Sequence, residues 1–278
     1  MKLLTLNTHS LIEENYPAKL REFVKMIAAE MPDIIALQEV NQSMDSSTVD
    51  TAILSGYWPC TDTVIREDNH VYNMVRLLAE AGVSYRWTWL PVKIGYGRYD
   101  EGLALLSLHP ILETDTATVS RTDDYTDWRT RKIVGIRTEK KPDEWFYSVH
   151  YSWWNDSAEP FEPQWQKTLS HLKKNAGIWL MGDFNNPAEV RGEGYDLVQA
   201  SGWRDSYTEA FVKDDGITVN HRIAGWEDHK DGIRIDQMWH SHPVSVTRSF
   251  VICSGAWYPV VSDHFGVMVE YNEGCENV

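Results

Sequence analysis

Cysteine is scarce in this chain. Its 278 residues hold three, Cys60, Cys253 and Cys275. They are far apart, odd in number and form no Cys-x-x-Cys pair, which argues against a disulfide framework or a thiolate zinc cage. Positive charge is also short: 26 Lys and Arg stand against 41 Asp and Glu, a net charge of −15. A protein that grips a nucleic-acid backbone usually carries a basic face that displaces counterions. The deficit argues against a large polyanion and for a small ligand whose charge a bound metal neutralises. No apolar run reaches the roughly 20 residues of a membrane-spanning helix. The opening "MKLLTLNTH" has one lysine and too short an apolar stretch for a signal peptide, so the expected compartment is the cytoplasm. Low-complexity linkers and internal repeats are missing too, and one domain over residues 1–278 is the simplest organisation.

What is present is ordinary globular material, 42% hydrophobic and 24% charged, rich in large rings: 13 Trp and 13 Tyr. Apolar patterning predicts strands over Lys2–Asn7, Asp33–Val40, Gly102–Ser107, Arg131–Thr138, Glu144–His150, Ile178–Met181, Ile233–Trp239, Val244–Val251 and Phe265–Glu270. Helical spacing predicts helices over Pro17–Glu30, Asp68–Ala81 and Trp165–Lys174, and Pro110 predicts a break after the third strand. The polar stretches Ser43–Asp62 and Asp214–Asp231 read as loops.

The informative feature is where the strands stop. "LTLNTH" ends on Asn7, "IIALQEV" carries Glu39, "YSVHYS" carries His150, and "IWLMGDFNN" ends on Asp183 and Asn185. "IRIDQM" puts Asp236 inside an apolar strand, and "VVSDHFGV" puts Asp263 and His264 just before one. One buried acid is ordinarily a structural hydrogen-bond partner. Six such sites at strand ends form a set, and carboxylates gathered together repel unless a cation sits among them. Oxygen donors with few imidazoles suit Mg²⁺ or Mn²⁺. "HYSWWND" sets Trp153 and Trp154 among polar residues, where exposed rings stack on a ligand or pack the loop down.

The ordered segments "LNTHS", "ALQEVNQ", "DEGLALLSLHPI", "SVHYS", "MGDFNN", "RIDQMW" and "SDHFGV" resemble the endonuclease/exonuclease/phosphatase superfamily almost end to end. The resemblance implies a deoxyribonuclease I-like four-layer α/β sandwich, with two face-to-face mixed β-sheets flanked by helices and the site at one rim. It also implies metal-dependent hydrolysis of a phosphate ester by in-line attack of water. Glu39, Asn7 and Asp263 are the implied metal ligands. Asp183 is the implied base, with Asn185 holding phosphate or water. His150 and His264 are the implied donors to the phosphoryl oxygens, paired with Glu101 and Asp236 respectively. Arg131 is a candidate phosphate contact. His9 reads as a strand-end residue outside the ligand set.

"MKLLTLNTHSLIEEN", "IGYGRYDEGLALLS" and "VSDHFGV" are most similar to the bacterial maltose 6'-phosphate phosphatase branch. That similarity implies a small sugar phosphate as substrate, with Trp153 and Trp154 stacking on the sugar. The alternative within the same superfamily is a nuclease or nucleotide phosphodiesterase.

Overall fold

The computed structural model describes residues 1–223, 225–226 and 232–273; Cys275 and His229 lie outside them. In chain order the elements are β1 (Lys2–Asn7), α1 (Tyr16–Glu30), β2 (Ile34–Ser43), α2 (His70–Glu80), β3 (Arg86–Gly95), β4 (Tyr99–Ser107), β5 (Ile111–Thr118), β6 (Lys132–Thr138) and β7 (Lys141–His150). Then follow α3 (Phe161–His171), β8 (Gly177–Asp183), α4 (Gly194–Ala200), β9 (Arg204–Asp205), α5 (Ser206–Glu209), β10 (Val212–Lys213), β11 (Asp236–His240), β12 (Val244–Ile252) and β13 (Gly266–Glu273). One sheet runs β10-β12-β13-β1-β2-β4-β3 and the other β5-β6-β7-β8-β11-β9. Both are mixed: β1 and β2 are parallel in the first, β7 and β8 in the second.

Strand alternation builds the layers. In β1 and β2, Leu3, Ile34 and Ala36 face the opposite sheet, while Leu4, Leu6, Ile35 and Leu37 face outward. Outward residues of the first sheet pack on Leu20, Phe23, Val24 and Ile27 of α1 and on Val71, Met74 and Leu78 of α2. Across the sandwich, Tyr147, Val149, Ile178 and Leu180 pack on Phe161 and Trp165 of α3 and on Tyr195 and Val198 of α4. The inter-sheet layer is closed by Phe146, Trp179, Met181, Met238, Val267 and Val269. This is the deoxyribonuclease I-like α/β sandwich, helices outside two facing sheets.

Inward positions change character toward one rim. After Leu3 come Thr5 and Asn7; after Ala36 comes Gln38; after Phe146 come Ser148 and His150; after Met181 comes Asp183. The Gln38 amide donates to Ser148 Oγ at 2.9 Å and to Thr5 Oγ1 at 3.2 Å. A satisfied polar layer therefore separates the dry core from the charged rim.

Periodicity misses four strands, β3, β5 and the two-residue β9 and β10. All four are sheet edges. β3 carries Pro91, which an edge strand tolerates because no ladder bond is lost. Ile111 opens β5 directly after Pro110, so that proline marks a strand entrance and not a lasting break. Asp236 is the first residue of β11 rather than an interior one. The third helix starts four residues earlier than its apolar spacing suggests.

Candidate active site

Alternation delivers Asn7, His150, Asp183 and Asp236 to the rim, because each continues the inward face of its strand. Glu39 arrives by a different route. Its strand pairs Leu37 with Ala104 and Val40 with Gly102, so Gln38 and Glu39 together oppose Leu103. This β-bulge supplies one extra residue, and Glu39 takes a left-handed φ of 51°. Simple alternation would send Glu39 out toward the helices; the bulge turns it inward. Strained backbone of this kind costs of order 1–3 kcal/mol and is held in place by its surroundings. The Val149–Gly182 register explains the glycine before Asp183. A Cβ at Gly182 would stand 2.0 Å from the Val149 carbonyl oxygen, so only glycine lets β7 and β8 approach here.

The tips converge on a cavity of about 310 Å³. Its floor contains Glu39, Glu101, His150, Asp183, Asn185, Asp263 and His264. Asn7 lies buried just beneath, donating Nδ2 to Glu39 Oε1 at 3.0 Å and to Asp183 Oδ2 at 3.1 Å. The Asn185 backbone N–H donates to Asp183 Oδ1 at 2.8 Å, and its side-chain amide donates to the Tyr151 carbonyl at 3.0 Å. His150 Nε2 and His264 Nε2 stand 3.6 and 4.0 Å from Asp183 Oδ2.

The two histidines are in opposite electrostatic states. Burial disfavours the charge on His264, but Asp236, whose Oδ2 is 2.9 Å from Nδ1, outweighs it and raises the pKa to about 10. Among the described residues His150 has no carboxylate at hydrogen-bond distance, Asp183 Oδ2 standing 3.6 Å away. Burial and the charges of Arg131, Lys93 and His264 hold it well below its ordinary value, so its ring is neutral. The implied pairing of His150 with Glu101 is therefore not what the structure has. Glu101 is engaged by Lys93, Nζ to Oε1 at 3.1 Å. Asp183 is pushed up to about 7, first by burial and then by Asp236, against the lowering effect of His264, the Asn185 N–H and Asn7.

Arg131 is buried, lines the cavity, and its Nε has no hydrogen-bond partner among the described residues. An idle buried guanidinium N–H suits an incoming oxyanion. Trp153 lines the mouth. Trp154 does not; it packs against the outer core with α3, and its expected contact with substrate is corrected to packing. Adjacent loop residues point to opposite sides here, which is why one ring faces the cavity and the other the core.

Five contributors escape the motif reading. Lys93 sits in the edge strand β3. Tyr96 and Trp128 project at the mouth, 62% and 46% exposed. Trp128 stands with its ring centroid 6.3 Å from that of Trp153. Trp226 donates Nε1 to Asn185 Oδ1 at 3.3 Å. His9, which reads as a strand-end residue, lines the cavity, with Nδ1 2.8 Å from Glu13 Oε1 and 3.8 Å from Asp263 Oδ2. The one usable signal was an aromatic among polar residues, as in "DDYTDWRT" and "AGWED".

The description "Endonuclease/Exonuclease/phosphatase family" fits residues 4–264. The chain belongs to this family. An endonuclease/exonuclease/phosphatase family protein from Leptotrichia buccalis C-1013-b is 32% identical, with a TM-score of 0.86 over 98% of this chain and 99% of that one. The mannosyl-6-phosphatase of Bacteroides thetaiotaomicron VPI-5482 is 18% identical, with a TM-score of 0.66 over 98% and 99%. A 3' phosphatase from Neisseria bound to a product DNA hairpin is 16% identical, with a TM-score of 0.60 over 98% and 99%. The last two likenesses show the fold. No curated protein matches the sequence.

The donor set fits the divalent metal of this family. Burial, Glu101 and Asp263 together raise the Glu39 carboxyl above its ordinary value, against His9 and Asn7. Crowded carboxylates of this kind are what a hard cation relieves. Among the described residues the donor groups close enough to share an ion are His9, Glu13 and Asp263, and Asp183, Asp236 and His264. Glu39 and Asp263 both line the cavity, while Asn7 beneath them turns Nδ2 toward Glu39 and Asp183.

Proposed function

We propose that the chain is a Mg²⁺- or Mn²⁺-dependent phosphomonoesterase acting on a small sugar phosphate, with maltose 6'-phosphate as the leading candidate. The observation that supports this reading is the cavity's mixed lining: the cationic and imidazole groups of Lys93, Arg131, His150 and His264 together with the exposed rings of Tyr96 and Trp128 and the half-buried ring of Trp153. A phosphate suits the first group and the C–H face of a sugar suits the second. The cavity's 310 Å³ lies at the small end of the range for ligand pockets. The net charge of −15 gives no support to a long polyanion.

Each residue then has a role. Asp183, with a pKa matched to neutral pH, orients water and takes its proton. Asn185, fixed by Tyr151 and Trp226, positions that water or a phosphoryl oxygen. His264 donates from Nε2 as an imidazolium while Asp236 holds Nδ1–H. His150 donates as a neutral ring. Arg131 binds a non-bridging oxygen and stabilises the charge that builds there. Glu39, Asn7 and Asp263 would hold a divalent ion, which would supply Lewis-acid polarisation of the phosphoryl group and stabilisation of the leaving oxygen. Unpaired Cys60 and Cys253 suit a reducing cytoplasm.

The test is phosphate release with Mg²⁺ from a panel of sugar phosphates, with plasmid nicking run beside it. Efficient release from a disaccharide phosphate and no nicking is the expected result. Nicking that weakens steeply with salt, without sugar-phosphate turnover, would assign the chain to the nuclease side of its family.

A further inference from the structure

Sites that transfer phosphoryl groups with two metals flank the phosphate with two cations about 3.5–4 Å apart. In this cavity one cation is already covalently present. β3 carries a bulge: Pro91 pairs with Gly102 and Lys93 with Glu101, leaving Val92 as the extra residue. That shift sets Lys93 directly across from Glu101, with Nζ 3.1 Å from Oε1 and both side chains less than a tenth exposed. Oε2 of Glu101 is pinned on its other side. A Cβ at Gly95 would stand 2.5 Å from it, so the carboxylate lies flat against the Gly95 backbone. Glu101 is held by an ammonium at one oxygen and by chain packing at the other.

We propose that the Lys93 ammonium stands as a built-in second cation, so that the site takes one divalent ion and not two. The inference rests on the reading of this cavity as a divalent-metal site. Lys93 acts here as a positioning residue: it neutralises Glu101 and denies that carboxylate to a second ion.

The test is a Mn²⁺ titration of the chelator-treated full chain by calorimetry, with bound Mn²⁺ counted by electron paramagnetic resonance. The wild type is expected to bind one Mn²⁺ per chain and Lys93→Met two. The double variant K93M/E101L, which removes both charges, is expected to return to one. Circular dichroism and melting check the fold; if Lys93→Met fails to fold, Lys93→Gln keeps a donor to Glu101 without the charge and is expected to bind two. Two ions in the wild type, one in both Lys93 variants, or two in the double variant would overturn the inference while leaving the metal site intact. No bound ion in the wild type would instead overturn the metal reading beneath it. A purely structural lysine would alter stability and leave these counts unchanged.

Discussion

Removing the indole of Trp128 separates sugar recognition from phosphate chemistry. The ring is 46% exposed, with the Arg129 guanidinium 4.6 Å from its centroid and Trp153 at 6.3 Å. Trp153 itself is backed by the loop at Gly225, where an added Cβ would meet the indole at 2.5 Å. Both rings line the cavity. A ring stacked on a ligand contributes ~1–3 kcal/mol, taking the scale for stacking on a base. Trp128→Ala and Trp153→Ala should each lower kcat/KM for a disaccharide phosphate by about 5- to 150-fold, at 1.4 kcal/mol per decade. p-Nitrophenyl phosphate reaches only the floor, and its turnover should change by no more than about twofold. Trp128→Ala opens no core cavity, so its stability should stay within about 1 kcal/mol of wild type, including the lost cation–π contact. Trp154→Ala is the contrasting case. It removes a ring packed on the outer core, should cost about 3 kcal/mol and lower Tm by roughly 6–12 °C, and should leave the ratio between the two esters unchanged. The assay is steady-state kinetics on both esters with a melt for each variant. Equal losses on both esters for Trp128→Ala, or a shifted ester ratio for Trp154→Ala, would refute the division of labour.

Three further outcomes follow from the same structure. Excess EDTA should abolish turnover and Mg²⁺ or Mn²⁺ restore it; full activity in demetallated protein would remove the metal from the account. Asp183→Asn should keep the fold and ligand binding yet lose on the order of 10²–10⁴ in kcat, the usual worth of a general base, and a variant within a few-fold of wild type would make Asp183 structural. At the opposite rim, burial raises Glu144 but His242, Tyr271 and Lys141 outweigh it, taking its pKa from 4.5 to about 2. A depressed folded pKa contributes stability above pH 4.5 that is lost as pH falls toward 2, here about 3 kcal/mol. Glu144→Gln should therefore show a shallower acid loss of Tm than wild type; parallel curves would contradict it.

Most of the sandwich and the floor of the site were legible because two periodicities coincide. Period-two alternation marks the central strands, and polar residues ending those strands on the same face mark the rim. Asn7, His150, Asp183 and Asp236 announce themselves this way. Glu39 does so only through its motif, since a bulge reverses the direction that alternation assigns it. Edge strand β5 carries the polar run "LETDTAT" and so loses the apolar signature, whereas edge strand β3 buries Trp87, Trp89, Leu90 and Val92 but holds Pro91, which reads as a strand breaker. Lys93 is hidden for the same reason, as its partner is fixed by register across an edge. Trp128, Tyr96 and Trp226 sit on loops, where no period exists to predict a side chain's direction. Trp153 and Trp154 were indistinguishable in sequence because only the loop conformation decides which ring meets the core.

The central claim, hydrolysis of a small phosphate monoester, is tested most directly by comparing monoester with diester on one enzyme preparation. The measurement is kcat/KM with Mg²⁺ for maltose 6'-phosphate, by direct phosphate release, against a short single-stranded oligonucleotide, by chain cleavage. The expected result is turnover of the sugar phosphate with no detectable cleavage of the oligonucleotide. Cleavage of the oligonucleotide at an equal or greater kcat/KM would contradict the account.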